Sequence, residues 1–188
     1  MVDILKIFFE NSNGINAVVA ISGVIIAFMA ILVSIISLIV SIKSLKYQRR
    51  HNVLTVKPIP EVTIANYENS LRVKIRNNGT GPLLISQFFV KKGYKEKKSV
   101  IKWMGKLPNK RLWTHFASDL DNRSILPGKS IPLLDLSETE KEIDFPQTRD
   151  ICRNWLKDLE CFVDYTDIYG TKFNTYSKKL DWFKKRTK

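Results

Sequence analysis

The longest run of hydrophobic residues in the chain extends from Ile15 to Ile42 and contains no charged residue. A helix needs about 20 apolar residues to cross the roughly 30 Å of hydrocarbon in a bilayer. The pattern therefore predicts one transmembrane helix. We expect this helix and its basic extension to occupy residues 15–50, after a short N-terminal segment of residues 1–14 and before a cytoplasmic β-domain of residues 52–188.

Small residues recur inside this apolar run at alternating steps of three and four. Such a spacing averages 3.5 residues, which keeps every member on one side of a helix and favours left-handed packing against other helices. Small side chains let membrane helices approach closely, and serine can add hydrogen bonds between them. The pattern predicts a homo-oligomeric bundle, and the alternative is that such residues are simply common in membrane anchors. The predicted oligomerisation seam consists of Ala20, Gly23, Ala27, Ala30, Ser34, Ser37 and Ser41, and Ser44 continues it.

Basic residues follow the span directly, whereas the segment before it has only Lys6 against Asp3 and Glu10. Because positive charges near a membrane end are retained on the cytoplasmic side, we expect the N-terminus outside and the β-domain inside the cell. The span is too long and begins too late for a cleavable signal peptide. The C-terminal residues mix aromatic rings with cations, as interfacial segments do, and the alternative is a solvated terminus. We expect the membrane surface to be contacted by Lys43, Lys46, Arg49, Arg50, Trp182, Phe183, Lys184, Lys185 and Arg186.

After Pro58 and Pro60, which end the predicted helix, apolar and polar residues alternate with a period of two. This alternation predicts half-buried strands at 61–66 and 71–77, joined by a hairpin. Further strands are predicted at 83–91, 100–104, 131–136, 161–168 and 172–180, and short helices at 112–120 and from Pro146, the latter burying Ile151, Trp155, Leu156 and Leu159. The pattern indicates a mainly β fold with an N-terminal transmembrane α-helix: an antiparallel β-sandwich or small barrel with one or two short helices.

The formal net charge is +13, and the uncharged span contributes none of it. Such a charge attracts anionic partners, of which the inner leaflet, a nucleotide and nucleic acid are three classes. Strand 71–77 is predicted to expose a cationic stripe, where arginine can clamp phosphate while an aromatic ring stacks on a base. The alternative is a solvated or lipid-facing basic surface. The predicted ligand site consists of Arg72, Lys74, Arg76, Lys102, Trp103, Tyr165 and Tyr169.

No catalytic or metal-binding motif stands out in the sequence. His115 has no carboxylate or thiol near it, and Asp164 and Asp167 project to opposite faces of a strand. Cys152 and Cys161 lack the spacing of a metal or redox site, which fits a reducing compartment. Neither a Walker loop nor a dinucleotide-binding loop is present. We therefore expect no enzyme, no cofactor and no metal, and net charge alone is a weak basis for nucleic-acid binding.

The order of the parts and three short stretches resemble known families. The stretches His51–Pro58, Asn77–Pro82 and Tyr165–Gly170 look like those of bacterial membrane-anchored β-domain proteins. A membrane segment, a basic run and a small basic β-domain together resemble bacterial antiphage membrane effectors. These include the transmembrane β-barrel effectors of cyclic-oligonucleotide defence systems (CBASS), which have two membrane helices where this chain has one clear span, and the membrane ancillary effectors of type III CRISPR systems.

The resemblance implies a bacterial inner-membrane protein with a role in antiphage defence. In such an effector a cyclic nucleotide binds the β-domain, and the oligomerising membrane helices then disrupt the membrane or form a pore. The alternative hypothesis is a non-enzymatic, membrane-tethered scaffold that recruits an acidic protein partner. In the scaffold, the seam would only set the oligomeric state.

Overall fold

One long helix, α1 (Val2–Thr55), forms the N-terminal part of the chain. The segment 1–14, predicted as a separate short segment, is helical from Val2 onward and is therefore continuous with the apolar run. Helix α1 ends at Thr55 because proline at position 58 cannot continue a helix and disfavours helical backbone in the residue before it. The part from Gly14 to Thr55 is long and apolar enough to cross a membrane, with a mean hydropathy of 3.0 in its most apolar window.

The structure is a computed structural model of the chain. It describes the backbone of residues 2–139 and 144–186 and the side chains of residues 14–139 and 144–184. The chain divides into two compact units, Met1–His51 and Asn52–Lys188. The second unit contains all the strands.

Nine strands and one further α-helix are described after α1. In chain order they are β1 (Pro60–Tyr67), β2 (Ser70–Asn77), β3 (Leu83–Lys92), β4 (Lys95–Lys97), β5 (His115–Phe116), β6 (Ser124–Ile125), β7 (Ser130–Ser137), α2 (Phe145–Leu156), β8 (Glu160–Thr166) and β9 (Tyr176–Lys179). The first sheet has the order β1-β2-β7-β5, and the second has the order β4-β3-β8-β9 with β6 on β3. All pairs are antiparallel, and neither sheet closes into a barrel. The mainly β prediction is confirmed, and of its two forms the structure is the sandwich.

One hydrophobic core lies between the two sheets. Because side chains alternate along a strand, β2 buries one half of its residues completely and turns the other half outward. The second sheet contributes the opposite side of the core in the same way. Buried residues from the two sheets include Leu71, Val73, Ile75, Leu134 and Leu136 from the first and Ile85, Phe88, Val90, Cys161 and Val163 from the second.

Both sheets have a free edge on the same side of the sandwich. Among the described residues, β1 pairs only with β2, and β9 pairs only with β8. The hydroxyl of Tyr176 on β9 accepts a hydrogen bond from the backbone N–H of Val62 on β1 at 3.0 Å. A groove of about 360 Å³ lies along these edges. It is lined by residues Glu61, Val62, Thr63, Ile64, Lys178, Lys179, Asp181 and Trp182.

Two of the predicted elements are wrong. Residues 100–104 contain a 3₁₀ helix, Ile101–Trp103, rather than a strand. Ile101 and Trp103 both pack against the core, and five residues are too few for periodicity to distinguish the two structures. The predicted helix at 112–120 is instead strand β5 and its extended flanks, because the backbone N–H groups of Thr114 and Ala117 donate to carbonyls of β7.

The helix predicted from Pro146 is confirmed as α2, with the proline in its first turn. Its buried face differs from the prediction. Ile151 is 37 % exposed, whereas Cys152 is fully buried. The helix ends at Leu156, so Leu159 lies beyond it. The buried residues of α2 are Phe145, Thr148, Cys152, Arg153 and Leu156.

Asn77, at the end of β2, holds four segments of the domain together. It is fully buried, and its Oδ1 accepts hydrogen bonds from the N–H groups of Ile59 and Gly79. Its Nδ2 donates to the carbonyls of Gly81 and Ile125 at 2.7 and 3.0 Å. Asn77 thus joins the linker after α1, the β2–β3 turn and the end of β6.

The same turn has no space for side chains at its two glycines. A Cβ at Gly79 would lie 2.6 Å from the nitrogen of Ile59, and one at Gly81 would lie 2.6 Å from the carbonyl carbon of Val56. The N–H of Thr80 donates to the carbonyl of Lys57, and its hydroxyl bonds the carbonyl of Thr55. The linker is therefore packed directly on the backbone of the β2–β3 turn.

Candidate functional site

The outer face of the first sheet carries the cationic stripe predicted from the sequence. Arg72, Lys74 and Arg76 alternate with the buried residues of β2, so their side chains point away from the core. The register places Thr63 of β1 and Pro132 of β7 beside Lys74. We call this surface, centred on Arg72, Lys74 and Arg76, the basic face.

Arg72 is held in a network at one end of the basic face. Its Nε lies 3.2 Å from Oδ1 of Asp135, and its Nη2 donates to the hydroxyl of Ser137 at 3.3 Å. That hydroxyl donates to the same Asp135 oxygen at 3.0 Å. Nδ1 of His115, on the neighbouring strand, lies 3.9 Å from the other oxygen of Asp135. Asp135 is only 8 % exposed, so it fixes and largely neutralises Arg72.

Lys74 and Arg76 have no ion pair among the described residues. Glu61 lies opposite Arg76 in the register, but its carboxylate accepts a hydrogen bond from the side-chain amide of Asn78. The register places Thr63 and Pro132 beside Lys74, and Glu61 and Ser130 beside Arg76, so both cations lie on the outer face of the sheet. The face of a sheet suits the surface of a macromolecule, whereas small-molecule sites are concave.

The other predicted ligand residues lie elsewhere. The indole N–H of Trp103 donates to the carbonyl of Val90 on the second sheet at 3.2 Å, and Lys97 Nζ lies 4.5 Å from the centre of its ring. The carbonyl of Lys102 accepts a hydrogen bond from the same Lys97 ammonium. The structure therefore places Trp103 and Lys102 on the second sheet, away from the basic face.

Tyr165 and Tyr169 are also separate from the basic face. Tyr165 faces the core from β8 and stacks on Phe173 with 5.3 Å between ring centres. Burial raises the pKa of its hydroxyl. Tyr169 lies in the turn after β8 and is 52 % exposed. The structure thus brings together Arg72, Lys74 and Arg76 and no other member of the predicted ligand site.

The predicted membrane-surface residues are divided by the structure. Lys43, Lys46, Arg49 and Arg50 are exposed on α1. Phe183 is 3 % exposed and belongs to the core, which corrects its assignment to a membrane surface. Trp182 is 43 % exposed and packs edge-on against Phe183. Lys184 pairs with Asp158 at 3.1 Å, and the side chains of Lys185 and Arg186 lie outside the description.

The residues of the seam are all exposed on α1 in the single chain. The hydroxyl of Ser34 donates to the carbonyl of Ala30, and that of Ser41 donates to the carbonyl of Ser37, each at 2.8 Å. These donors are therefore used within the helix. Association along the seam would depend on close packing at its glycine and alanines more than on hydrogen bonds donated by Ser34 or Ser41.

The two cysteines are free and buried. Burial raises the pKa of each thiol to about 12, so both are protonated and poorly reactive near neutral pH. In the part of the chain that the structure describes, no group of three or more His, Cys, Asp or Glu side chains is arranged to hold a metal ion.

Sequence patterns missed Asn77, which has the most extensive hydrogen bonding of any side chain near the basic face. The available signal is the stretch Asn77–Pro82, in which two asparagines and two glycines lie at or after the end of the predicted strand 71–77. An asparagine at a strand end beside two glycines indicates close backbone approach.

The comparisons with known proteins identify no family for this chain. No model of a protein family matches it, and neither a curated protein nor a solved structure matches it. No residue role is therefore transferred to this chain from another protein.

Proposed function

We propose that this protein is a non-enzymatic, membrane-tethered adaptor that recruits an acidic protein partner. Helix α1 is the tether, and the basic face of the first sheet is the recruiting surface. The observation that carries the proposal is the pair Lys74 and Arg76, which lie on the outer face of the sheet without an ion pair among the described residues.

The basic face contains one paired cation and two cations without an ion pair among the described residues. The buried partner Asp135 holds Arg72 in place, while Lys74 and Arg76 are available to an incoming acidic surface. Exposed charges of this kind accelerate association and select partners, and salt screens them. The high positive net charge adds long-range attraction.

Tethering makes a modest affinity sufficient. A domain fixed to a membrane confines its partner to a thin layer, which raises the effective concentration for further contacts. The basic residues Lys43, Lys46, Arg49 and Arg50 after the apolar run favour a cytoplasmic location for the adaptor domain.

Charge reversal on the basic face tests this proposal. The full-length protein in detergent is titrated with a fluorescent glutamate-rich peptide at low ionic strength. We expect Lys74→Glu with Arg76→Glu to raise the Kd by about tenfold or more, since both substitutions place like charge against the peptide.

The matched control is Lys92→Glu with Lys95→Glu, which makes the same change in net charge at the exposed β3–β4 turn. It is expected to change the Kd by less than about threefold. If the control weakens binding as much as the test variant, net charge rather than the basic face attracts the peptide, and the adaptor site is rejected.

A second candidate function is a ligand-gated membrane effector. The observation that favours it is the packing of the linker Val56–Ile59 on the β2–β3 turn, because a ligand-induced change in the domain would then be passed to the chain leaving it. Calorimetric titration of the full-length protein with a panel of cyclic nucleotides tests it. Saturable micromolar binding of one nucleotide would support the effector, and its absence across the panel would leave the adaptor.

A further inference from the structure

Four segments meet at the end of the sandwich where the chain arrives from α1. We call this the linker end and define it as residues 56–59, 78–82, 126–129 and 167–175. Asn77 bonds the first three segments, since its backbone also pairs with Gly128 and Lys129. The fourth is adjacent because Thr166 pairs with Leu84 at the start of β3, and Lys57 Nζ lies 5.8 Å from the centre of the Phe173 ring.

Large hydrophobic side chains stand exposed at the linker end. Ile59 is 50 % exposed, Leu126 is 58 % exposed, and Ile168 and Tyr169 are 51 % and 52 % exposed. They occupy three of the four segments: Ile59 lies in the linker before β1, Leu126 lies next to the turn at 127–128, and Ile168 and Tyr169 lie in the turn after β8. Turns at a domain surface are usually polar, and exposed apolar side chains gathered at one end indicate a contact surface.

The charge at the linker end is positive. Its four segments contain Lys57, Lys129 and Lys172, all exposed, and a single carboxylate, that of Asp167. Asp167 is fully buried, and its Oδ1 accepts hydrogen bonds from the N–H groups of Tyr169 and Thr171. The carboxylate therefore shapes the turn from inside, and the exposed charged side chains of the four segments are lysines. Two carboxylates border these segments, that of Glu61, which accepts a hydrogen bond from Asn78, and that of Asp164, which accepts one from Thr175.

Apolar tips flanked by lysines match the boundary between lipid headgroups and acyl chains. The apolar side chains enter the interface, while the ammonium groups meet anionic headgroups, each contributing about 1 kcal/mol near such a surface. The linker end is also the end by which the domain is covalently joined to the apolar helix, through Ile59 itself. The opposite end of the sandwich, with the exposed Leu112, has no such connection.

We propose that the linker end docks on an anionic lipid surface and orients the β-domain against the membrane. The proposal rests on the membrane tether of the proposed function and adds the surface and the lipid chemistry that set the domain's orientation. The apolar run from Ile15 to Ile42 makes about 40 Å of helix, longer than the roughly 30 Å of hydrocarbon. Such an excess is accommodated by tilt, and residues 43–55 of α1 connect the apolar run to the linker end.

A lipid-borne quencher tests the docking. The full-length protein carries an environment-sensitive fluorophore on Leu126→Cys and is reconstituted in vesicles of phosphatidylcholine and phosphatidylglycerol. The native thiols are buried, so they do not compete for the label. We expect lipids brominated along the acyl chain to quench the label on residue 126 at least about twofold more than a label on Leu112→Cys.

Leu112 is the matched control because it is 84 % exposed and lies at the opposite end of the sandwich. Its position there follows from its neighbour Arg111, which donates a hydrogen bond to the carbonyl of Ser137 at the end of β7. Replacing phosphatidylglycerol with phosphatidylcholine, or the three lysines with Lys57→Gln, Lys129→Gln and Lys172→Gln, is expected to reduce quenching at residue 126. If quenching at residue 126 stays the same after the change of lipid and after the lysine substitutions, anionic lipid has no role in the docking.

The outcomes separate this proposal from the tether on which it rests. Protein that leaves the vesicles in an alkaline wash refutes the tether and the docking together. Protein that stays in the vesicles while the labels at 126 and 112 are equally unquenched refutes the docking alone. If the fluorescence of the label on residue 126 changes only when the glutamate-rich peptide is added, and does not respond to the brominated lipid, the linker end contacts a protein partner. That result would also refute the docking.

Discussion

Asn77 is a fully buried polar residue in which both side-chain atoms capable of hydrogen bonding are used twice. Burying an amide without partners costs several kcal/mol, so its position depends on all four bonds. Those bonds reach backbone groups of Ile59, Gly79, Gly81 and Ile125, which would otherwise be unsatisfied. A single side chain therefore carries the junction between the linker and the sandwich.

Asn77→Ala removes all four bonds at once and leaves buried N–H and C=O groups without partners. We expect the free energy of unfolding to fall by about 3 kcal/mol or more. Urea denaturation of the full-length protein in detergent, followed by tryptophan fluorescence, measures the change. The control is Asn78→Ala, an exposed neighbour whose side-chain amide donates to the carboxylate of Glu61, and its cost is expected to stay below about 1 kcal/mol. Equal costs for the two variants would show that the buried bonds contribute little.

Asp121 is a second residue whose bonds have a measurable consequence. The backbone N–H of Phe88, at 2.9 Å, holds the pKa of this carboxyl below its usual value, and Lys98, at 3.1 Å, lowers it further. A carboxyl with a lowered pKa in the folded state stabilises the protein above the pKa of the unfolded chain. That contribution is lost as the pH falls through the folded-state pKa.

The stability of the domain should therefore decline as the pH falls below about 4, the usual range of an aspartate. In Asp121→Asn we expect a smaller decline over the same range, because the replaced group does not titrate. Lys98→Gln should keep part of the decline, since the backbone bond from Phe88, the largest single cause of the lowered pKa, remains. Denaturation of the wild type and the two variants at pH 7, 5 and 3 gives the dependence of the free energy of unfolding on pH for each protein. If this dependence is the same in the wild type and in Asp121→Asn, the Asp121 carboxyl is excluded as the cause of the decline.

At the level of elements, the junction between the linker and the β2–β3 turn is a backbone-to-backbone contact. It requires glycine at positions 79 and 81 for space, because a Cβ at either would overlap the linker. The contact therefore depends on the absence of side chains rather than on their attraction. Such contacts are sensitive to the addition of one methyl group.

Gly81→Ala should displace the linker from the turn. We expect the amides of Ile59 and Thr80, which bond Asn77 and Lys57, to lose protection from hydrogen exchange by about tenfold or more. Exchange measured by mass spectrometry on peptides covering residues 52–60 and 76–84 reports it. Thr80→Ala is the control, because it removes the hydroxyl that bonds the carbonyl of Thr55 but adds no atom between the turn and the linker, and it should leave the amide of Ile59 protected. Unchanged protection in Gly81→Ala would show that the linker adapts without leaving the turn.

Period-two alternation predicted β1 and β2, and it succeeded for β2 because Leu71, Val73 and Ile75 bury one face of the strand completely. Strands β3, β7 and β8 were predicted from apolar segments beside turn residues, and β7 does not alternate, since its residues 133–136 are all buried. The prediction of a helix at 112–120 was wrong because the structure of this segment depends on pairing with β7. That strand lies about 20 residues further along the chain, and the sequence of the segment itself does not encode the pairing. The alternation along β2 predicted that the three cations of the basic face lie on one outer face. The aromatic members of the predicted ligand site were grouped with these cations only because aromatic rings can stack on a base, and no sequence pattern placed them nearby.

At the scale of the whole molecule, the apolar helix and the basic domain require different surroundings. Residues 14–52 of α1 are all exposed in the single chain, including the whole seam. A bilayer would cover its large side chains, and other copies of the helix would cover the small ones. Self-association of the protein is thus expected to depend on the small residues of α1.

Gly23→Leu with Ala27→Leu should raise the dissociation constant for self-association in detergent by about tenfold or more, since both leucines hold neighbouring backbones apart. Sedimentation equilibrium of the full-length protein measures it. Ile25→Leu with Met29→Leu adds leucine outside the seam and should leave association unchanged. Association that survives the seam substitutions would assign it to another surface and leave the small residues as a feature of composition.

The hydrogen bond from Val62 to Tyr176 joins the first strand of the sandwich to the last. A strand with unpaired backbone groups is a template for other chains, and the phenol occupies one of those groups on β1. Because Tyr176 lies 114 residues after Val62, it leaves the ribosome long after β1. Newly made chains therefore expose the outer edge of β1 to their neighbours until β9 has been made, and truncation before residue 176 would make that exposure permanent.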